Sequence, residues 1–405
     1  MTVQVSKLAN GLTVATDTMQ QAQSVALGFW VKVGTRDESA ATQGVAHLVE
    51  HMLFKGTRRR DAREISEAIE GVGGYINAYT SREETAYYVH ILPEHAALAV
   101  DVLSDMLTES VLDATELERE RGVIIQEIGQ AYDNPEDYIF DCVQEVAFPA
   151  QGLGWPILGQ ASNIAQMPRH ALQDYLTQHY HASAMLLAGA GRIEHEQLLV
   201  LAERFCGKFP TGTSRTRLAA RYCGGRRHEP RPLEQQHLVL GFPAPGLFDS
   251  EFETAQLLAN LLGGGSASRL FQEVREKRGL AYHVSASLSS YHDAGLLLLY
   301  AGTAPEQAKL LEEVMWQELA RLPFDLTLTE FQRAQAQLRA QLIMGQETPS
   351  ARCEQLAGDM MLWGRPVALQ ERLQRLTAIT PERISSLAQK LTPTTATIVG
   401  VGESA

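Results

Sequence analysis

The amino-acid sequence predicts an α+β protein of two homologous domains, each an antiparallel-rich mixed sheet packed by helices. Three observations point there. The first is a repeat: SVALGFW at Ser24–Trp30 resembles HLVLGFP at His237–Pro243, and AMLLAGAG at Ala184–Gly191 resembles TATIVGVG at Thr395–Gly402. Gly28 on Gly241 gives an offset of 241 − 28 = 213 and Gly191 on Gly402 gives 402 − 191 = 211, so the duplicated unit is about 210 residues. Second, strand-like segments come in clusters and helix-like segments in runs, which favours α+β over a strictly alternating parallel fold. Third, Gly207–Pro232 is rich in Gly, Pro, Thr and Arg and has no sustained apolar period, as expected of a linker. The expected division is residues 1–210, a linker at 211–230, and residues 231–405.

The elements follow in order. Val3–Asp17 carries Asn10-Gly11 between apolar runs, a hairpin signal. Ser24–Val33 is strand-like. Gln43–Lys55 is amphipathic with helical spacing and is closed by Gly56. Tyr75–Thr80 is a short β-prone segment, and Glu84–Leu92 alternates as a strand. Glu94–Glu109 and Ala114–Tyr132 have apolar residues at helical spacing, the second with Thr115 and Glu118 placed as a capping box. Pro135–Val146 is a further helix. Gly263-Gly264-Gly265 lacks the frame of a phosphate loop and reads as a turn.

Composition narrows the function classes. A chain of 405 residues is long enough for two or three cores. Asp and Glu number 48 against 35 Lys and Arg, a formal charge of −13, which disfavours nucleic acid as a partner. The longest apolar stretch, near Gly295–Ala301, falls far short of the roughly 18 residues that span a bilayer, so no membrane insertion is expected. Cys142, Cys206, Cys223 and Cys353 are scattered without a CxxC, as reduced thiols in a cytosol-like compartment would be. MTVQVSKLANGLTV shows neither a signal-peptide nor a transit-peptide pattern. A bacterial cytoplasmic location is therefore expected, with a mitochondrial matrix location only if a transit peptide is missing from this sequence.

The chemistry-bearing string is His47-Leu48-Val49-Glu50-His51. On a helix, His47 and His51 are i and i+4, with imidazoles on one face about 5–6 Å apart. Two neutral imidazoles so placed reach one zinc at about 2.0–2.1 Å. Glu50 lies on the same side, near enough to act on a water at the metal. A catalytic zinc needs a third protein ligand. Glu120 and Glu127 share one face of their helix, seven residues apart, and a carboxylate beside the apolar run Val123-Ile124-Ile125 wants a cation. Spacing alone does not choose between them.

HxxEH followed after 127 − 51 = 76 residues by glutamate resembles the pitrilysin family of zinc metallopeptidases, the inverzincins. GVAHLVEHMLFKGT at Gly44–Thr57, GYINAYTSREETAYY at Gly74–Tyr88, ERERGVIIQEI at Glu118–Ile128 and LFQEVREKRGLAY at Leu270–Tyr282 are similar to the branch containing the catalytic subunit of mitochondrial processing peptidase and its bacterial relatives. The resemblance spans the chain. It implies a LuxS/processing-peptidase-like metalloenzyme fold and a zinc endopeptidase acting on peptides or leader segments inside an enclosed chamber.

Carried onto this sequence, the resemblance makes His47, His51 and Glu127 the ligands of one zinc per chain. Glu50 becomes the general base and Glu120 a carboxylate supporting the site. It assigns Asn77 and Ala78 to an open edge strand that pairs with substrate, and Phe54 to the pocket after the cut. Asp137 and Asp141 become the acidic pair reading an arginine two residues before the cut. Arg275 and Tyr282 would hold substrate main chain and stabilise the tetrahedral intermediate. At the repeat offset His47 falls on Asn260 and His51 on Gly264, so the second half lacks the metal set. Because one chain carries both residue sets, a homodimer acting on peptides, possibly basic ones, is expected. The rival expectation is a noncatalytic subunit of a processing-peptidase-like complex, against which the intact HxxEH set counts.

Overall fold

A computed structural model describes residues 2–213 and 217–403; positions 214–216 of the expected linker lie outside the described residues. The first sheet holds β1 (Thr2–Lys7), β2 (Thr13–Thr18), β3 (Val25–Val31), β4 (Tyr75–Thr80), β5 (Thr85–Ile91) and β6 (Met185–Gly191), in the order β1-β2-β6-β3-β5-β4. The second holds β7 (Gly225–Pro230), β8 (Gln236–Ala244), β9 (Ala281–Ser290), β10 (Gly295–Thr303) and β11 (Thr397–Gly402), in the order β7-β11-β8-β10-β9. Without β1, the two orders match position by position. Both sheets also have one parallel pair in the same place, β2 with β6 and β7 with β11, all other pairs being antiparallel. The duplication read from two short strings is a duplication of topology.

Local expectations hold with two adjustments. The first hairpin closes through Leu8–Leu12, a longer loop than a two-residue turn, in which Asn10 Oδ1 accepts the Leu12 N–H at 3.1 Å and Gly11 takes φ 98°. The long helix runs Ala114–Asp133, but its cap is Asp113, whose Oδ1 accepts the Thr115 and Glu116 N–H groups at 2.8 and 3.1 Å. Thr115 is therefore inside the helix, and Glu118 pairs with Arg121 instead of closing a capping box.

The compact units do not follow the division expected from the repeat. Unit 1 comprises Met1–Gly129, Trp155–Arg217 and Met344–Val367; unit 2 comprises Gln130–Gly154, Leu218–Ile343 and Ala368–Ala405. Each half thus lends a helix to the other's sheet, and the last part of the expected linker is the strand β7. The physical reason is visible in β3 and β6, in which every residue is buried. A strand buried on both faces needs two covering layers. In unit 1, Leu27, Phe29 and Leu187 face a core shared with the helices Val45–Leu53, Ala96–Glu109 and His195–Cys206. On the opposite face Ala26, Ala188 and Ala190 make room for Cys353, Leu356 and Ala357 of the helix Pro349–Trp363. In unit 2 the helix Pro135–Ala147 does the same through Ile139, Cys142 and Val143 against Val239, Leu298 and Val399.

One buried ion pair fixes the lent helix of unit 1. Arg352 Nε donates to Asp17 Oδ2 at 2.7 Å, with both residues buried. Removing one partner strands a charge in the interior, whereas removing both does not. Asp17→Ala is therefore expected to destabilise unit 1 by about 3–5 kcal/mol in urea unfolding, and Asp17→Leu with Arg352→Met to recover most of that loss. A single variant as stable as the parent would show that the pair does not anchor the helix.

Candidate metal centre

The helix Val45–Leu53 is nine residues long and buries Val45, Ala46, Leu48, Val49, Met52 and Leu53. That apolar face leaves His47, Glu50 and His51 together on the other side. The two imidazole rings lie 4.6 Å apart between centroids, edge to face. The helix Ala114–Asp133 runs alongside and supplies both glutamates, two turns apart.

Geometry separates the roles that spacing left open. Glu120 Oε2 accepts a hydrogen bond from His51 Nδ1 at 2.9 Å, and Glu120 Oε1 accepts from Lys55 Nζ at 2.8 Å. An ionised carboxylate only accepts, so the His51 proton sits on Nδ1 and the Nε2 lone pair is free. Glu127 Oε2 lies on that free side, 3.6 Å from His51 Nε2 and 3.9 Å from His47 Nε2. The donor atoms of His47, His51 and Glu127 all fall within 4.8 Å of one another, and they are the one such group among the described residues. Tetrahedral donors on a single zinc are about 3.3 Å apart, given bonds of about 2.0–2.1 Å. The Glu127 oxygen stands within about 0.3–0.6 Å of that spacing from each histidine nitrogen, and two imidazoles with one carboxylate are a donor set that zinc accepts. The residues fit the metal.

The electrostatics agree with ligand duty. Burial, helped by the neighbouring His51, pushes His47 down to about 4, so its imidazole is neutral at pH 7. Burial also opposes charge on His51, but the bond to Glu120 and the nearby Glu127, Glu120 and Glu50 carboxylates outweigh it and raise its pKa. Burial works against the Glu120 carboxylate too; the His51 and Lys55 hydrogen bonds win and hold it below the usual range. Glu50 is raised by burial, partly offset by a hydrogen bond from Thr80 Oγ1 to its Oε2 at 2.5 Å. Thr80 and Lys55 were not singled out by sequence reasoning. Lys55 stands one turn beyond His51, a spacing that could have flagged it; Thr80 meets Glu50 only through the sheet.

The remaining candidates divide between the units. β4 is the edge of its sheet, with Thr80 on the metal side. Ile76 and Ala78 share that face and pack on the core beneath the metal helix. Asn77 points to the opposite face, where its Nδ2 donates to the Tyr75 hydroxyl at 2.6 Å and its Oδ1 accepts the Ala78 N–H at 2.9 Å. Phe54 ends the metal helix, half-buried, its ring centroid 6.5 Å from that of Tyr87. Asp137 and Asp141 belong to unit 2, on its lent helix; Asp137 is exposed and accepts from Asn134 Nδ2 at 2.6 Å, and Asp141 is half-buried. Arg275 and Tyr282, also in unit 2, meet: the guanidinium carbon is 4.5 Å from the Tyr282 ring centroid and 4.7 Å from that of Phe271. Tyr282 is 80% exposed, so this stacked pair faces outward from its own unit. In unit 2 the positions matching His47 and His51 are Asn260, in the last turn of the helix Phe252–Gly263, and Gly264, which ends it.

The raised His51 gives a pH prediction. A proton on Nε2 excludes the metal, and it competes from a pH above the ordinary imidazole range. In the metal-free protein, zinc affinity should fall about tenfold per pH unit once the pH drops below the His51 value. Glu120→Gln should weaken zinc binding about 10–100-fold at a pH above the His51 value, and move the acid decline to lower pH. Competition with a chromophoric chelator measures both; an unchanged affinity and pH profile in Glu120→Gln would remove Glu120 from the site.

The chain is similar to known proteins along most of its length. Residues 13–161 match the family described as Insulinase (Peptidase family M16), and residues 166–338 match the Peptidase M16 inactive domain. A protein of Rickettsia felis named as an uncharacterized zinc protease is 36% identical over 399 residues, 98% of this chain and 97% of its own length. YmxG of Bacillus subtilis, named likewise, is 34% identical over 384 residues, 94% of each chain. The fold is shared with a solved Pseudomonas fluorescens structure described as a peptidase M16 inactive domain, at TM-score 0.92 and 20% identity, covering 100% of this chain and 98% of that one. A protease from Helicobacter pylori superposes equally well, at TM-score 0.92 and 20% identity, covering 99% of each chain. With a metal-competent first half and a second half lacking the donors, this chain belongs to peptidase family M16, the pitrilysin-type family of zinc proteases.

Proposed function

We propose that the chain is a zinc endopeptidase in which His47, His51 and Glu127 hold one zinc ion and Glu50 is the general base. The observation that carries this reading is the separation of duties around one short helix. Three donors converge on a common point, while Glu50, on the same helix, is held apart by Thr80. Zinc, when bound, supplies Lewis acidity that polarises the scissile carbonyl and acidifies a water. Glu50 takes the water's proton on its carboxylate and returns it to the leaving amine nitrogen; a carboxylate raised by burial is better matched to that exchange. Glu120 keeps the Nδ1 proton on His51 in place throughout. The open edge of β4 offers main-chain groups to an extended peptide, with Ala78 on the metal side and Asn77 bracing the strand. Phe54 lines the apolar pocket after the cut.

Asp137 and Asp141, one helical turn apart, are inferred to grip an arginine two residues before the cut. Arg275 and Tyr282 are inferred to bind substrate main chain at the metal centre of a second copy, in a homodimer enclosing the peptide. A reducing bacterial cytoplasm suits the four free cysteines, and among the described residues no helix is long and apolar enough to cross a membrane. A noncatalytic subunit would have no use for Glu50 beside an intact ligand set.

Glu50→Gln is expected to keep stoichiometric zinc and lose at least 10²–10⁴-fold in kcat, because the amide cannot take the proton. Turnover within tenfold of the parent at equal metal content would remove Glu50 from the mechanism. Asp137→Asn combined with Asp141→Asn is expected to raise KM for peptides with arginine two residues before the cut and to spare their alanine counterparts. A parental ratio between the two peptides would show that the acidic pair does not read arginine.

A further inference from the structure

The metal-bearing helix begins at a residue that cannot cap it. Its N-cap is Gly44, at φ 91°, and a Cβ there would lie 2.7 Å from Ile164 Cδ1 and 2.9 Å from Leu158 O. Gly159 presses from the same side, so close that its own Cβ would be 2.5 Å from Gly44 Cα. No Ser, Asp or Asn fits at this N-cap, yet the first-turn N–H groups need acceptors. They are supplied from six and eight residues upstream: Glu38 Oε2 accepts the Gly44 N–H at 2.9 Å and Glu38 Oε1 accepts the Ala46 N–H at 2.8 Å. Ala46 immediately precedes His47.

Glu38 is itself held. The Thr35 and Arg36 N–H groups donate to Ser81 and Arg82 carbonyls at 3.2 and 2.8 Å. Arg36 Nη1 pairs with Glu83 at 2.7 Å. Arg217 grips both Asp37 oxygens, at 2.8 and 2.7 Å, and the Glu83 carbonyl at 2.7 Å. Residues 81–84 are the turn between β4 and β5, directly after Thr80. One segment therefore links the start of the metal helix to the strand end that holds Glu50.

We propose that Glu38 is a positioning residue of the metal centre, its carboxylate clamping the first turn of the helix so that His47 and His51 keep their place relative to Glu127, β4 and Thr80. This rests on reading those residues as zinc ligands. A nine-residue helix has little intrinsic stability to hold a ligand geometry by itself. Burial pushes the Glu38 carboxyl up to about 8, while the Ala46 and Gly44 amides that donate to its two oxygens favour the ionised form.

The test compares Glu38→Gln with Asp61→Ala. Glutamine keeps the size of the side chain but turns an NH2 group toward one of the two N–H donors. Asp61 caps the neighbouring helix Ala62–Glu70 by accepting the Glu64 N–H at 2.8 Å, and that helix carries no site residue. Glu38→Gln should raise the zinc dissociation constant of the metal-free protein at least about tenfold. It should also lower kcat of the zinc-loaded protein with KM within twofold. Asp61→Ala, which removes that cap, should lower the unfolding midpoint comparably and leave zinc affinity within twofold of the parent. Glu38→Asp, which keeps both oxygens but retracts them, should fall between Gln and parent. Zinc affinity within twofold in Glu38→Gln, or equal losses in Glu38→Gln and Asp61→Ala, would overturn the proposal. So would unfolding of both Glu38 variants, which would assign the residue to the fold alone. Undiminished zinc binding in His47→Ala would instead overturn the ligand reading on which it rests.

Discussion

The hydrogen bond from His51 to Glu120 is the interaction on which the centre depends. It crosses between the two helices that carry the donors, and it decides three things at once. It fixes the tautomer of His51, turns the Nε2 lone pair toward Glu127 and His47, and occupies one of the two candidate carboxylates so that the other is left for the metal. Lys55 balances the second Glu120 oxygen, which makes a buried carboxylate tolerable beside an apolar core. Without that bond, Glu120 and Glu127 would be two acidic groups on one helix face, with nothing to assign them different work.

The sheet provides the second half of the arrangement. Because β3 and β6 are buried on both faces, the sheet of unit 1 is covered by helices on either side, and β4 is left at its margin. The metal helix packs against that margin, so Glu50 meets a residue of an open edge strand. Unit 2 has the same sheet and the equivalent helix, but Asn260 and Gly264 stand at the matching points. Duplication preserved the scaffold, and the three-donor group lies on one copy among the described residues. Fold and site are separable in this chain, as they are in general.

Much of this was legible in the sequence. The repeat was visible because strands buried on both faces leave short, uniformly apolar strings ending in glycine, at Ala184–Gly191 and Thr395–Gly402. HxxEH was visible because helical periodicity turns four residues into one face. What spacing could not resolve was the choice between Glu120 and Glu127, since seven residues return to the same side of a helix and only the tertiary contact with His51 Nδ1 tells them apart. The exchange of the helices 135–147 and 349–363 was illegible for a similar reason. An amphipathic pattern shows that a face must be covered without naming the sheet that covers it. Nor does local spacing foretell the cap on the metal helix, since Glu38 acts across a 3₁₀ turn and a loop. Asn77 shows the limit of a motif match: the residue lies on the expected strand, yet its side chain points away from the metal helix.

The most direct test of the account is an anomalous-scattering map at the zinc edge from crystals of the zinc-loaded protein. The account requires a single strong peak per chain bonded to His47 Nε2, His51 Nε2 and a Glu127 oxygen at about 2.0–2.2 Å, with Glu50 and Glu120 outside the coordination sphere. A peak coordinated by Glu120 in place of Glu127, or no ordered zinc at this helix, would contradict it.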